Sequence, residues 1–249
     1  MRQNTWVLMF IAAAALTASP AAAEERARKT IWDLQLSRPI AAQPLTIEYR
    51  GYACGAKGGP PRQPLKSFDD FGRCAPEFSG LREVVFEYDD ELEYIARAKD
   101  SERDITRYAG TSEYGYSVIA SALIDASGIV RGIRLVTDPR PDYRRDVSEA
   151  DTRKRANAYQ FGAVMAARFE IDAQQHCKSL PATDAESPVG SLFIKLECEK
   201  IGLADHRRVV LSVRMLRKSG QTDRDPRVPS QLTSGQFESS ALLEIFDAP

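Results

Sequence analysis

The chain has 249 residues, 43% hydrophobic, 28% charged and 8% aromatic, a composition that excludes collagen-like, low-complexity and polytopic membrane proteins. With 34 basic against 35 acidic side chains the formal net charge is -1, so no general attraction to nucleic acid is expected. Two histidines and four cysteines leave too few ligands for three-histidine zinc sites and for most haem or iron arrangements.

At the start of the chain, Arg2 precedes an apolar run from Trp6 to Ala18 that is too short to cross a bilayer and is broken by Ser19 and Pro20. Ala21, Ala22 and Ala23 supply the small side chains a signal peptidase requires, and Glu24 and Glu25 follow. Residues 1–23 therefore read as a cleaved secretory signal peptide. No cysteine stands at the cleavage point to take a lipid, and no later stretch is apolar for long enough to form a transmembrane anchor. The expected location is periplasmic or secreted.

Residues 24–80 form a Gly/Pro-rich N-terminal segment. Trp32, Leu34 and Leu36 alternate as an edge strand would, and Leu45, Ile47 and Tyr49 alternate after them. The stretch GYACGAKGGPPRQPL is so crowded with Gly and Pro that turns and a disulfide, rather than regular ladders, are expected to hold it. Its glycines near Lys57 lack the Gly-Lys-Ser/Thr that a phosphate loop needs.

The cysteines fall into two neighbouring pairs, Cys54 with Cys74 and Cys177 with Cys198. An oxidising compartment makes disulfides the default. Pairing neighbours closes two loops of similar size, each constraining the unfolded chain by about 3 kcal/mol. No Cys-x-x-Cys is present for zinc or redox chemistry. His176 lies beside Cys177, but adjacent residues seldom aim their side chains at one another, which argues against a nucleophile and base there.

Residues 81–170 read as a β-α-β-β-α core. Val84, Phe86 and Tyr88 alternate as a strand, and Asp90 with Glu93 signals a helix carrying Leu92, Ile95, Ala98, Ile105 and Ala109. A hairpin follows: Tyr116, Val118, Ala120, Ala122 and Ile124 share one parity, Asp125 to Gly128 turn, and a partner strand runs from Ile129 to Val136. Ser148 caps a second helix whose inward stripe is Ala156, Tyr159, Ala163, Ala166 and Phe169. In residues 171–249 three more strands are expected around Leu192–Glu199, Val209–Met215 and Leu243–Ile245, with a long polar connection from Lys218 to Phe237. The fold class expected is α+β, a mainly antiparallel sheet with two principal helices flanking a β-hairpin, braced by two disulfides and packed as one domain.

Charge is unevenly distributed. From Glu83 to Asp104 nine acidic residues face three basic ones, whereas from Gly128 to Ala158 eight basic residues face five acidic ones. The planar guanidinium suits carboxylates, phosphates and sulfates, so Arg140, Arg144 and Arg145 in TDPRPDYRR are the candidate binding residues. The expected partner is an anionic envelope component or an acidic peptide. Against this, Arg131 and Arg134 have opposite strand parity and cannot both face one ligand, and the two charged segments can pair with each other.

Carboxylates from Glu87 to Glu93 offer an alternative, a cell-wall or polysaccharide hydrolase, although a helix dipole also favours acids at a helix start. Tyr108, Tyr114 and Tyr116 could stack on a sugar or peptide. No Gly-x-Ser-x-Gly, Ser-x-x-Lys or His-Glu-x-x-His motif occurs. The sequence thus points to an exported, non-catalytic binding module without cofactor or metal, the other alternative being a structural subunit of an envelope assembly. Oligomeric state carries no signal in the sequence.

Overall fold

The computed structural model describes residues 31–44, 49–57, 59–88, 112–138, 156–202, 206–219, 223–224, 232–233 and 237–247. The signal peptide expected over residues 1–23, the helix expected from Asp90, and Arg140, Arg144 and Arg145 lie outside them.

Eleven strands build one antiparallel sheet. In chain order they are β1 (Tyr49–Ala56), β2 (Gly59–Leu65), β3 (Arg82–Tyr88), β4 (Ser112–Glu113), β5 (Tyr116–Ile124), β6 (Val130–Thr137), β7 (Cys177–Ser179), β8 (Glu186–Ser187), β9 (Ile194–Ile201), β10 (Arg207–Lys218) and, after a separate two-residue pair β11 (Asp223–Arg224) and β12 (Leu232–Thr233), β13 (Glu238–Asp247). Across the sheet the order is β2-β1-β3-β5-β6-β13-β10-β9-β7, with β4 on β5 and β8 on β10. The C-terminal strand therefore fills the centre, where it bridges the hairpin β5–β6 to β10.

The expected α+β class with two principal helices is overturned. Half of the described residues are strand, and among them only one helix reaches seven residues. That helix, α1 (Gln160–Arg168), is followed by a single turn, α2 (Ala173–His176), capped by the Asp172 carboxylate, which accepts from the backbone of Gln174 and Gln175. The inward face of α1 differs in part from the expected stripe: Tyr159, Ala166 and Phe169 pack half-buried against the core, but the fully buried positions are others. Phe161, Gly162 and Met165 are buried, while Ala163 is exposed. Burying Phe161 and Met165 removes more area from water than burying Ala163 would. Gly162 lies so close to Val213 on β10 that a Cβ would fall 2.3 Å from a Val213 methyl.

Two N-terminal expectations are corrected as well. Trp32 belongs to a 3-10 turn, Ile31–Asp33, rather than to an edge strand. The Gly/Pro-rich stretch does form ladders, because β1 and β2 pair as a hairpin and β1 also pairs with β3. Its prolines Pro60, Pro61 and Pro64 fall on β2, the outermost strand, where missing N–H groups are tolerated and new pairing is discouraged.

The expected hairpin β5–β6 is present and turns at Asp125–Gly128. Asp125 Oδ1 accepts from Ser127 and Ile129, and Gly128 takes the left-handed φ of 79°. One face of the sheet carries the apolar core: Val84, Ala122, Ile133, Leu211, Leu243 and Ile245 belong to the same buried cluster as Phe161 and Met165 of α1. Both disulfides join the neighbours expected. Cys54–Cys74 ties β1 to the end of a 3-10 helix, Phe68–Arg73, and Cys177–Cys198 joins directly opposed residues of β7 and β9.

Candidate functional site

The second face of the sheet is polar where it should be, by strand alternation, and yet partly buried. Two cross-strand rows define it. In one, Ser121, Arg134 and Glu244 are successive partners on β5, β6 and β13; in the other, Glu83, Leu123, Gly132, Phe246, Arg208 and Ile201 run from β3 to β9. Gly132 makes room for its neighbour, since a Cβ there would meet the Phe246 ring at 2.7 Å. Gly55 does the same for Glu83, whose carboxyl carbon would stand 2.2 Å from an added Cβ.

Arg134, only 5% exposed, contacts three carboxylates. Its Nη1 and Nη2 donate to Glu77 Oε1 and Oε2 at 2.6 and 3.0 Å, a two-pronged pair, and its Nε donates to Glu244 Oε1 at 2.7 Å. Nη1 also lies 3.0 Å from Glu83 Oε2. Burial works against the charge, but the hydrogen bonds it donates to Glu77 and the charges of Glu83 and Glu244 outweigh it and raise the guanidinium's pKa above its ordinary value. Glu83 and Arg134 come from the acidic and basic segments respectively, so at this point the two segments pair.

Glu77 reaches Arg134 from a tight turn. Glu77 N donates to Leu81 O and Gly80 N to Glu77 O, Gly80 has φ 81°, and Arg82 Nη1 holds the Cys74 carbonyl. The turn thereby stands between the first disulfide and β3. At its tip Phe78 is fully exposed. Beside it lies a groove of about 560 Å³ lined by Glu77, Ser79, Leu81, Leu123, Arg134, Ile201, Arg208, Glu244, Phe246 and Asp247. Ile201, at 61% exposure, stands on its β9 side. Arg208 donates to Glu199 at 2.6 Å and lies over the Phe246 ring, 5.8 Å from the centroid. Asp247 accepts from the Ser37 hydroxyl.

A second cluster forms where β4–β5 meets α1. Trp32 Nε1 donates to Glu113 Oε1 at 3.0 Å, the Arg168 guanidinium stacks 3.8 Å over the Trp32 ring, and Arg168 Nη1 donates to the exposed Tyr114 hydroxyl at 3.3 Å. Tyr114 and Gly115 both have positive φ, 52° and 78°, as a two-residue hairpin turn requires. Burial raises the Glu113 carboxyl's pKa against the opposing pull of Trp32 and Arg168. Tyr116 faces inward instead, 5.8 Å from the Phe161 ring.

The sequence-derived candidates distribute as follows. Arg140, Arg144, Arg145, Tyr108 and Asp89 to Glu93 lie outside the described residues, as does the Glu87 side chain, although the backbone of Glu87 belongs to β3. Arg131 is exposed and paired with Asp125 at 2.7 Å. His176 Nδ1 accepts from the Asp172 backbone at 2.9 Å, and Cys177 is consumed in its disulfide. Among the described residues no group of three or more His, Cys, Asp or Glu is arranged to hold a metal, and no helix is long and apolar enough to cross a membrane.

The groove itself went unforeseen. Its one sequence signal was charge at strand positions between apolar neighbours, Glu83, Arg134 and Glu244; Phe78, a lone aromatic in a turn, gave none. Comparison with protein-family models, with curated proteins and with solved structures returned no match, so the groove must be read from its own chemistry.

Proposed function

We propose that the protein is an exported, non-catalytic interaction module that receives a partner in the groove beside Phe78. The observation that carries this reading is the fully exposed Phe78 on a hydrogen-bonded turn whose neighbouring residues, Glu77 and Ser79, line that groove. Large apolar side chains that fill a partner's pocket are a common form of interface anchor. The carboxylates nearby are tied to one guanidinium rather than poised as a separated acid and base. All four cysteines are cross-linked, which removes thiol chemistry and fits an oxidising compartment.

The test is site-specific photo-crosslinking in the exporting host. A photoreactive residue replacing Ser79 should give a discrete adduct that the additional change Phe78→Ala removes, whereas one replacing Gln174, exposed on α2, should give none. Adducts at Ser79 no stronger than at Gln174 would sink the groove assignment. Adducts from Arg144 alone would move the function to the basic segment and its anionic partner.

A further inference from the structure

We propose that the Cys177–Cys198 disulfide is a site of thiol–disulfide exchange, and that its reduction by an external dithiol releases β7 from the edge of the sheet. The two disulfides close loops of nearly equal length, with sequence separations of 20 and 21, so loop entropy does not distinguish them. Their surroundings do. Cys54 and Cys74 are both buried, at 6% and 2% exposure, and Cys54 lies on β1, which is paired on both sides, by β2 and by β3. Cys198 is buried as well, but Cys177 is partly exposed. It belongs to a strand of three residues that, among the described residues, ends the sheet.

The chain around Cys177 has little else to hold it. No residue from Asp172 to Ala185 is buried, so the segment removes little apolar area from water. The backbone ties of β7 to β9 are three register pairs, Cys177 with Cys198, Lys178 with Glu197 and Ser179 with Leu196, extended by the bond from Leu180 N to Lys195 O at 2.8 Å. A short, exposed segment fastened in this way opens locally at low cost. Reaching Cys54–Cys74 instead means parting β1 from its partners or lifting the 3-10 helix whose Phe68 is buried. Once the covalent link is gone, fraying of β7 leaves the outward backbone groups of Lys195 and of Glu197, two residues further along the same edge, to solvent.

The exchange needs no resident thiol and is independent of the groove beside Phe78. A thiolate of the dithiol attacks Cys177 Sγ, the S–S bond breaks, and Cys198 leaves as a thiolate that takes a proton from water. The second sulfur of the dithiol then attacks its own first sulfur in the mixed disulfide and expels Cys177 as a thiolate, which is protonated in turn. The dithiol departs as a disulfide, oxidised by two electrons, and the chain holds two thiols.

The experiment treats the folded, disulfide-intact protein with dithiothreitol, quenches samples in acid, alkylates them unfolded and reads each cysteine by peptide mass. Cys177 and Cys198 should become labelled about tenfold faster than Cys54 and Cys74. Hydrogen exchange on the protein reduced at that pair should show lost protection over residues 177–180 and at Glu197, with the β5–β6 hairpin unchanged. Cys177→Ser combined with Cys198→Ser should show the same loss without reductant; where that variant does not fold, the reduced unsubstituted protein supplies the reading. Labelling of Cys54 and Cys74 first, or of all four cysteines together, overturns the assignment of the exchange site. Selective reduction that leaves β7 as protected as before overturns the release of the strand.

Discussion

On one side of β6, Ile133 and Leu135 are buried in an apolar core closed by Phe161 and Met165; on the other side, between them in sequence, Arg134 is buried among Glu77, Glu83 and Glu244. The first face gains stability from area removed from water, in proportion to what it buries. The second gains little net stability from burial, because desolvating charges costs about as much as their attraction returns, yet losing one partner is expensive since the others are left buried and unpaired. A strand with both faces buried in these different ways is positionally rigid. That rigidity is what lets the polar face present a shaped groove.

Phe161→Ala is the most damaging way to break the apolar side. It leaves a cavity beneath α1 and should lower unfolding stability by about 4 kcal/mol in a urea titration. A loss under about 1 kcal/mol would mean that α1 does not close the core. Arg134→Met tests the other side and should cost about 3 kcal/mol, because three carboxylates lose their common partner. Adding Glu77→Gln, Glu83→Gln and Glu244→Gln to Arg134→Met should recover much of that loss. Failure to recover it would show that Arg134 acts there through packing rather than charge.

Much of the sheet was legible in advance. The one-parity rows from Val118 to Ile124 and from Val209 to Met215, the Asp125–Gly128 turn and the two cysteine pairs are local signals, and the structure forms the strands, the turn and the disulfides they indicate, although β5 is buried on both faces from Val118 to Ile124. Strand order is not local. Nothing in Glu238–Asp247 announces a central position between β6 and β10, so Glu244 could not be placed beside Arg134 from spacing. The β1–β2 hairpin was hidden because its prolines, read in isolation, break ladders; only the knowledge that β2 is an edge makes them compatible. Phe78 lacks any periodic neighbour, and its meaning comes from exposure alone.

The glycines sharpen the contrast at single-atom scale. Gly55→Ala pushes a methyl into the Glu83 carboxylate's position and should destabilise by about 2 kcal/mol. In a Glu83→Ala background the same change should cost much less, so a thermal double-mutant cycle reads their coupling directly. Additive effects would mean that Glu83 is free to move aside and that the ion network tolerates displacement.

The smallest effect concerns the outlying cluster of Trp32, Glu113 and Arg168, where burial and a neighbouring cation pull one carboxyl in opposite directions. The Glu113 pKa is raised above its ordinary 4.5, burial being the larger influence. A carboxyl with a raised pKa in the folded state favours folding while it is protonated, and that contribution is lost as pH rises through the folded-state value. Glu113→Gln holds the neutral form permanently and keeps a carbonyl that accepts from Trp32 Nε1. The melting temperature of the unsubstituted protein should therefore fall relative to that of Glu113→Gln as pH is raised from about 4 to about 7, and the difference should then level off. A change of the opposite sign would mean that the attraction of Arg168 outweighs desolvation, making this cluster a second, weaker version of the ion network around Arg134.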